Sequence, residues 1–146
     1  MQLHDPRDKA EILRRLKTLR PEAGRRWGKM SVGQMLWHVN EAMEGALGRI
    51  QADPIKIPLP RSLLKLLVLN APWGKSAPTL KRWVPQHDGY DFSAERERCC
   101  RLIDEIAGKP LNDAWADSPM LGRMSGKDVS RLHAKHLNHH LTQFGA

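Results

Sequence analysis

Four histidines crowd one short stretch of the chain, RLHAKHLNHHLTQFG, residues 131–145. On a helix turning about 100° per residue, Val129, Leu132, Leu137 and Phe144 fall on one apolar stripe. His133, His136 and His140 lie inside that stripe, and His139 sits toward its edge. His136 and His140 are four residues apart, so their rings stack one turn above the other on the same face. A buried imidazole without a partner costs free energy. A pair at this spacing on a core-facing stripe is explained by a shared divalent ion, because two histidines at i and i+4 are a zinc-binding geometry. The alternative is that the histidines pack in the core and hydrogen-bond to carbonyls. Two ligands do not make a site in any case, and a third must come from elsewhere.

His38 is the natural third ligand, since it is the only other histidine inside a strongly signalled helix. It lies about 100° from the centre of that helix's apolar face, at the border of the core. Small neighbours, Ala42 and Gly45, leave room for something to approach there. Three neutral imidazoles from two helices would leave a fourth coordination position open, as catalytic zinc sites do. A water in that position becomes acidic enough to act as nucleophile or base. Glu41, one turn after His38, is placed as a candidate catalytic group that orients a ligand or moves a proton. The commoner fate of a glutamate on a helix flank is plain exposure.

The elements that must position these residues are helical. Asp5 as N-cap and Pro6 at the first helical position open a helix carrying Ile12, Leu13, Leu16 and Leu19, and Pro21 ends it. Ser31 with Gln34 forms a capping box, with Met30 and Met35 as its hydrophobic staple. The second helix then buries Val32, Met35, Leu36, Val39, Ala42, Met43, Ala46 and Leu47, and Gly48 lies near its end. Three prolines make residues 51–60 an extended connection. RSLLKLLVLN reads as a short extra helix, and the sequence from Ala71 to Asp91 as a long irregular loop. A loop of that length in so small a domain usually covers something, unless Trp73 and Trp83 simply pin it to the core. Ser93 is expected to cap the next helix, whose Cys99, Leu102, Ile103 and Ile106 face inward and which Gly108 closes. The last helix re-uses the start signal of the second, GRMSGKDV against GKMSVGQM, and Gly145 stops it.

The 146 residues suit one domain, residues 1–146, with enough chain to bury a core. Five of the eight aromatic residues are tryptophan, and the apolar content is otherwise aliphatic, which favours helices. The net charge of +8 and pI near 9.9 raise the question of anionic partners. The basic residues are scattered and no aromatic-interleaved patch gathers them, so a nucleic-acid partner is not expected. Cys99 and Cys100 are adjacent, which is poor geometry for a disulfide. The N-terminal stretch shows no apolar signal segment and no apolar run is long enough to cross a bilayer, so a cytoplasmic protein with no membrane partner is expected. All of this describes an all-α antiparallel four-helix bundle with a long crossover and an extra short helix.

The segments WGKMSVGQMLWHVNEAMEGALG, PWGKSAPT and KHLNHHLTQFG resemble the DinB-like four-helix-bundle metalloenzyme superfamily, and more narrowly an uncharacterised bacterial subfamily of unknown function. The resemblance covers most of the chain. It implies metal ligands at one histidine of the second helix and two histidines four apart on the last, which fall on His38, His136 and His140. His139 also matches a histidine of the subfamily motif. Two departures are visible: Ser118 to Leu121 stands where relatives have a His-Pro-aromatic stretch, and Ala134 replaces a residue often aromatic. The resemblance further implies a homodimer, a divalent ion with zinc or nickel foremost, and in some relatives a low-molecular-weight thiol cofactor. The function expected is a metal-dependent transferase or hydrolase acting on a small-molecule substrate. The alternative is a non-catalytic metal-binding or stress-related helical protein.

Overall fold

In the computed structural model, which describes residues 1–75 and 81–146, local start signals set where most helices begin. Asp5 accepts from the backbone N–H of Arg7 and Asp8, and Pro6 starts α1 (Pro6–Thr18). Ser31 opens α2 (Val32–Ala46) with the full reciprocal box to Gln34. Ser125 and Asp128 make the same box at α5 (Gly126–Gln143). Each cap satisfies N–H groups that the helix leaves orphaned. The short extra helix is α3 (Arg61–Asn70), entered from Pro60 without a side-chain cap.

Two boundaries differ from expectation at α4 (Phe92–Gly108). Its cap is Asp91, not Ser93: Asp91 Oδ1 accepts from Ala94 N at 2.7 Å, so the helix starts one residue before Ser93. Gly108 does not close it in a left-handed conformation. The chain leaves at Lys109, which is extended (φ −80°, ψ 127°) because Pro110 follows and forbids helical geometry to the residue before it.

The core is made of Ile12 and Leu16 from α1, Met35, Leu36, Val39 and Met43 from α2, Cys99, Leu102, Ile103 and Ile106 from α4, and Val129, Ala134, Leu137 and Leu141 from α5. Burying each large aliphatic chain contributes roughly 1.5–3 kcal/mol. The helices pair α1 with α4 and α5, and α2 with α4 and α5. That closes a four-membered ring in which consecutive helices α1 and α2 sit on a diagonal, as do α4 and α5. Residues 19–31 and 109–125 make the diagonal steps. The crossover from α2 to α4 carries α3, which packs outside the ring on α5. Its second half holds a 3-10 turn, Lys81–Trp83, lying against α2. The end of the PWGKSAPT segment, residues 76–79, lies outside the described residues. No strand is formed among the described residues, and no helix there is long and apolar enough to cross a membrane.

Candidate metal centre

α2 and α5 bring His38, His136 and His140 together. His38 Nε2 lies 3.0 Å from His136 Nε2, and His140 Nε2 lies 3.1 Å from that same atom. Tetrahedral ligands at zinc–nitrogen distances of about 2.0–2.1 Å stand roughly 3.3 Å from one another, so each of these two pairs need open only slightly to hold an ion, and all three nitrogens lie within 4.8 Å of one another. The rings are turned to each other at 88°, 76° and 57°, as expected of ligands aimed at a common point.

The far side of two of the rings explains why. His38 Nδ1 is 2.8 Å from the carbonyl oxygen of Trp83, which can only accept, so the proton of a neutral His38 is on Nδ1. His140 Nδ1 is 2.7 Å from Gln143 Oε1. That amide cannot be the other way round, because its Nε2 donates to the Trp27 carbonyl at 2.7 Å. His140 therefore also carries its proton on Nδ1. Both Nε2 atoms point bare lone pairs at His136, which can offer at most one N–H between them while neutral. Placing a second proton there is disfavoured. Burial, then the neighbouring histidines, hold His136 well below the ordinary histidine range. Burial also lowers His38, and it lowers His140 to about 3. A divalent cation satisfies all three lone pairs at once; a proton satisfies two at most. The donor set thus fits a metal ion, and these are the residues that could hold one.

His38 is 4 % exposed, not at the border of the core where its helical phase put it. The difference comes from Trp83: its carbonyl holds the His38 ring, and its indole fills the space above Gly45, where an added Cβ would lie 3.3 Å from the ring. The long loop therefore both packs and covers the site. Trp73 approaches the other side, its ring centred 5.7 Å from those of His136 and His139. His139 packs edge-on against Trp27 and stands outside the three-nitrogen group. His133 is buried further along α5, where burial lowers it to about 4 and keeps it neutral.

Glu41 is likewise outside the group, and its carboxylate faces α4. Oε1 accepts from Arg98 Nη2 at 2.9 Å, in a cluster with Glu44 and Glu95 that ties α2 to α4. Ser118 to Leu121 forms a tight turn whose contacts run to Ile55 and Arg61, and Ala134 is fully buried in the core. The sequence reading missed Gln143. Its signal was present, since a polar residue three positions after His140 sits one turn on along the same face. Gly28 also belongs here: at φ +81°, an added Cβ would lie 2.5 Å from Gln143 Nε2, so glycine lets the backbone close on that amide.

A family model described as a protein of unknown function (DUF1569) matches residues 1–146. No curated protein and no solved structure matches the chain significantly.

Proposed function

The chain belongs to the DUF1569 family, and from that premise we propose that it is a metal-dependent transferase or hydrolase whose ion, zinc or nickel, sits on His38, His136 and His140. The observation that carries this reading is the proton arrangement: two Nδ1–H groups committed outward to Trp83 and Gln143, and three Nε2 atoms converging. Structural zinc sites fill all four positions with protein, whereas three ligands leave one for water or substrate.

A bound divalent cation would supply an acidified water or thiol at that open position. The chain's own part is to hold three imidazoles neutral at physiological pH, which their lowered proton affinities accomplish. Trp83 and Gln143 fix which nitrogen is bare. The tryptophans around the site restrict water. Both orienting partners are neutral carbonyl oxygens and no carboxylate joins the three-nitrogen group among the described residues, so the open position favours an anionic group such as a thiolate. That agrees with the thiol cofactor implied by the resemblance. The basic surplus of the chain suits the carboxylates such cofactors carry.

The test begins with metal analysis of protein purified without a histidine tag. Stoichiometric divalent metal that disappears in His136→Ala is expected, and metal content indifferent to that substitution would remove the site. Thiol transfer to a small electrophile is then measured with and without chelator. Turnover abolished by chelator is expected of the transferase, while loaded protein that turns over no thiol and hydrolyses no ester would leave the non-catalytic metal-binding reading.

A further inference from the structure

We infer that the outer face of α3 docks on an anionic lipid surface. None of the ten residues of α3 is buried. Leu64 and Val68 pack against the core. Leu63, Leu66 and Leu67, at i, i+3 and i+4, form the opposite face and are 43 %, 58 % and 47 % exposed. Leu59, just before the helix, is 37 % exposed. Just before it, Ile55 and Ile57 line a shallow apolar depression with Lys56 and Arg61. The bundle needs only Leu64 and Val68 to seat the helix, so packing leaves the other three leucines unexplained. Scattered exposed leucines need no explanation, but a contiguous face of them marks a contact surface.

Charge selects the occupant. Lys56 and Arg61 line the depression beside Leu59, with Arg61 Nη1 and Nη2 donating to the Pro119 and Ile55 carbonyls, and neither they nor Arg131 is in an ion pair among the described residues. Arg131 stands at the C-terminal end of the face, where Nη2 donates to Asn70 Oδ1 at 2.8 Å. Lys65 is the exception, paired with Asp128 at 3.2 Å. The acids nearby, Asp53 and Asp117, lie on the segments beyond the N-terminal end of α3. A second copy would bring two basic rims together. Four half-exposed leucines also offer on the order of 300 Å² of apolar surface, short of the ~800 Å² per partner that stable protein pairs bury. A lipid interface needs no such area from one helix. Leucines enter the headgroup boundary while lysines and arginines meet anionic headgroups. The expectation of no membrane partner rested on the lack of a spanning segment, and docking on a surface requires none.

The experiment is co-sedimentation of the full chain with vesicles of phosphatidylcholine containing roughly 30 % phosphatidylserine, against pure phosphatidylcholine. Expected are binding to the anionic vesicles only, release by salt, and at least roughly tenfold weaker binding of Leu63→Ser/Leu66→Ser. These positions are exposed, and circular dichroism confirms that the variant is folded. Lys56→Glu/Arg131→Glu should weaken binding similarly. Failure to bind anionic vesicles, equal binding to neutral ones, or full binding by the leucine variant would overturn the inference. So would a solution dimer that Leu66→Ser dissociates, which would assign the face to a second copy. His136→Ala should bind vesicles normally, so this result stands apart from the fate of the metal site.

Discussion

Replacing Gln143 by leucine tests the proton arrangement at the candidate metal centre directly. The side chain is 3 % exposed and bridges His140 Nδ1 and the Trp27 carbonyl at 2.7 Å each. Leucine keeps most of the volume and removes both hydrogen bonds. Two buried polar groups are then left unpaired, which costs about 1–3 kcal/mol of stability for each. His140 is also released to take the other tautomer, which puts a proton on the nitrogen that must bind the ion. Loss of such a partner lowers metal affinity about 10- to 100-fold, or roughly 1.4 to 2.7 kcal/mol. The measurement is competition against a chromophoric chelator at neutral pH, with urea unfolding of the apo-protein in parallel. Gln143→Glu provides the contrast, because a carboxylate still accepts from His140 Nδ1 but cannot donate to Trp27. It should lose stability and keep its metal. An affinity unchanged in Gln143→Leu, or a fall as large in Gln143→Glu, would refute the tautomer argument.

Gly28→Ala should act through the same amide: strain at φ +81° of about 1–2 kcal/mol, plus displacement of Gln143, lowers both melting temperature and metal affinity. Glu41→Gln should leave metal affinity unchanged while weakening the ion cluster on Arg98, read as a lower urea midpoint with normal metal content. In the apo-protein His133 titrates near 4 when folded, against about 6.5 when unfolded. The unfolded chain therefore takes up the proton first, so this contribution is complete above pH 6.5 and is lost as pH falls toward 4, by up to about 3 kcal/mol. His133→Leu should flatten that part of the stability–pH curve, and an unaltered slope would show that another group carries it.

Local chemistry made several elements readable in advance. Asp5-Pro6, the Ser31–Gln34 box and the Ser125–Asp128 box act within one turn, so the start of three helices follows from neighbouring residues alone. The spacing of His136 and His140 is equally local. His38 was different: it stood out as the only other histidine in a strongly signalled helix, and the resemblance strengthened that choice, but helical phase placed it at the border of the core. Its burial depends on Trp83, 45 residues away, which periodicity cannot register. Lys109 shows the same limit on a smaller scale, where Pro110 outweighed the glycine expected to end α4. Ser93 was expected as the cap of α4, but the helix starts at Phe92, so Asp91, equally a capping residue type, takes that position. Glu41 was read from spacing along α2, but the carboxylate turns to Arg98 on a helix that spacing within α2 does not reveal.

His38 and His136 are 98 residues apart, on helices that become neighbours only after the chain has made the long crossover to α4 and the diagonal step from α4 to α5. Contacts of such sequence separation form late in folding, once loop closure has been achieved by other means. A cation bound at the proposed site would therefore have little to grip in the transition state and would arrive as a clasp on a finished bundle. Added metal should leave the refolding rate nearly unchanged and slow unfolding instead, making the ion a determinant of how long the native chain persists.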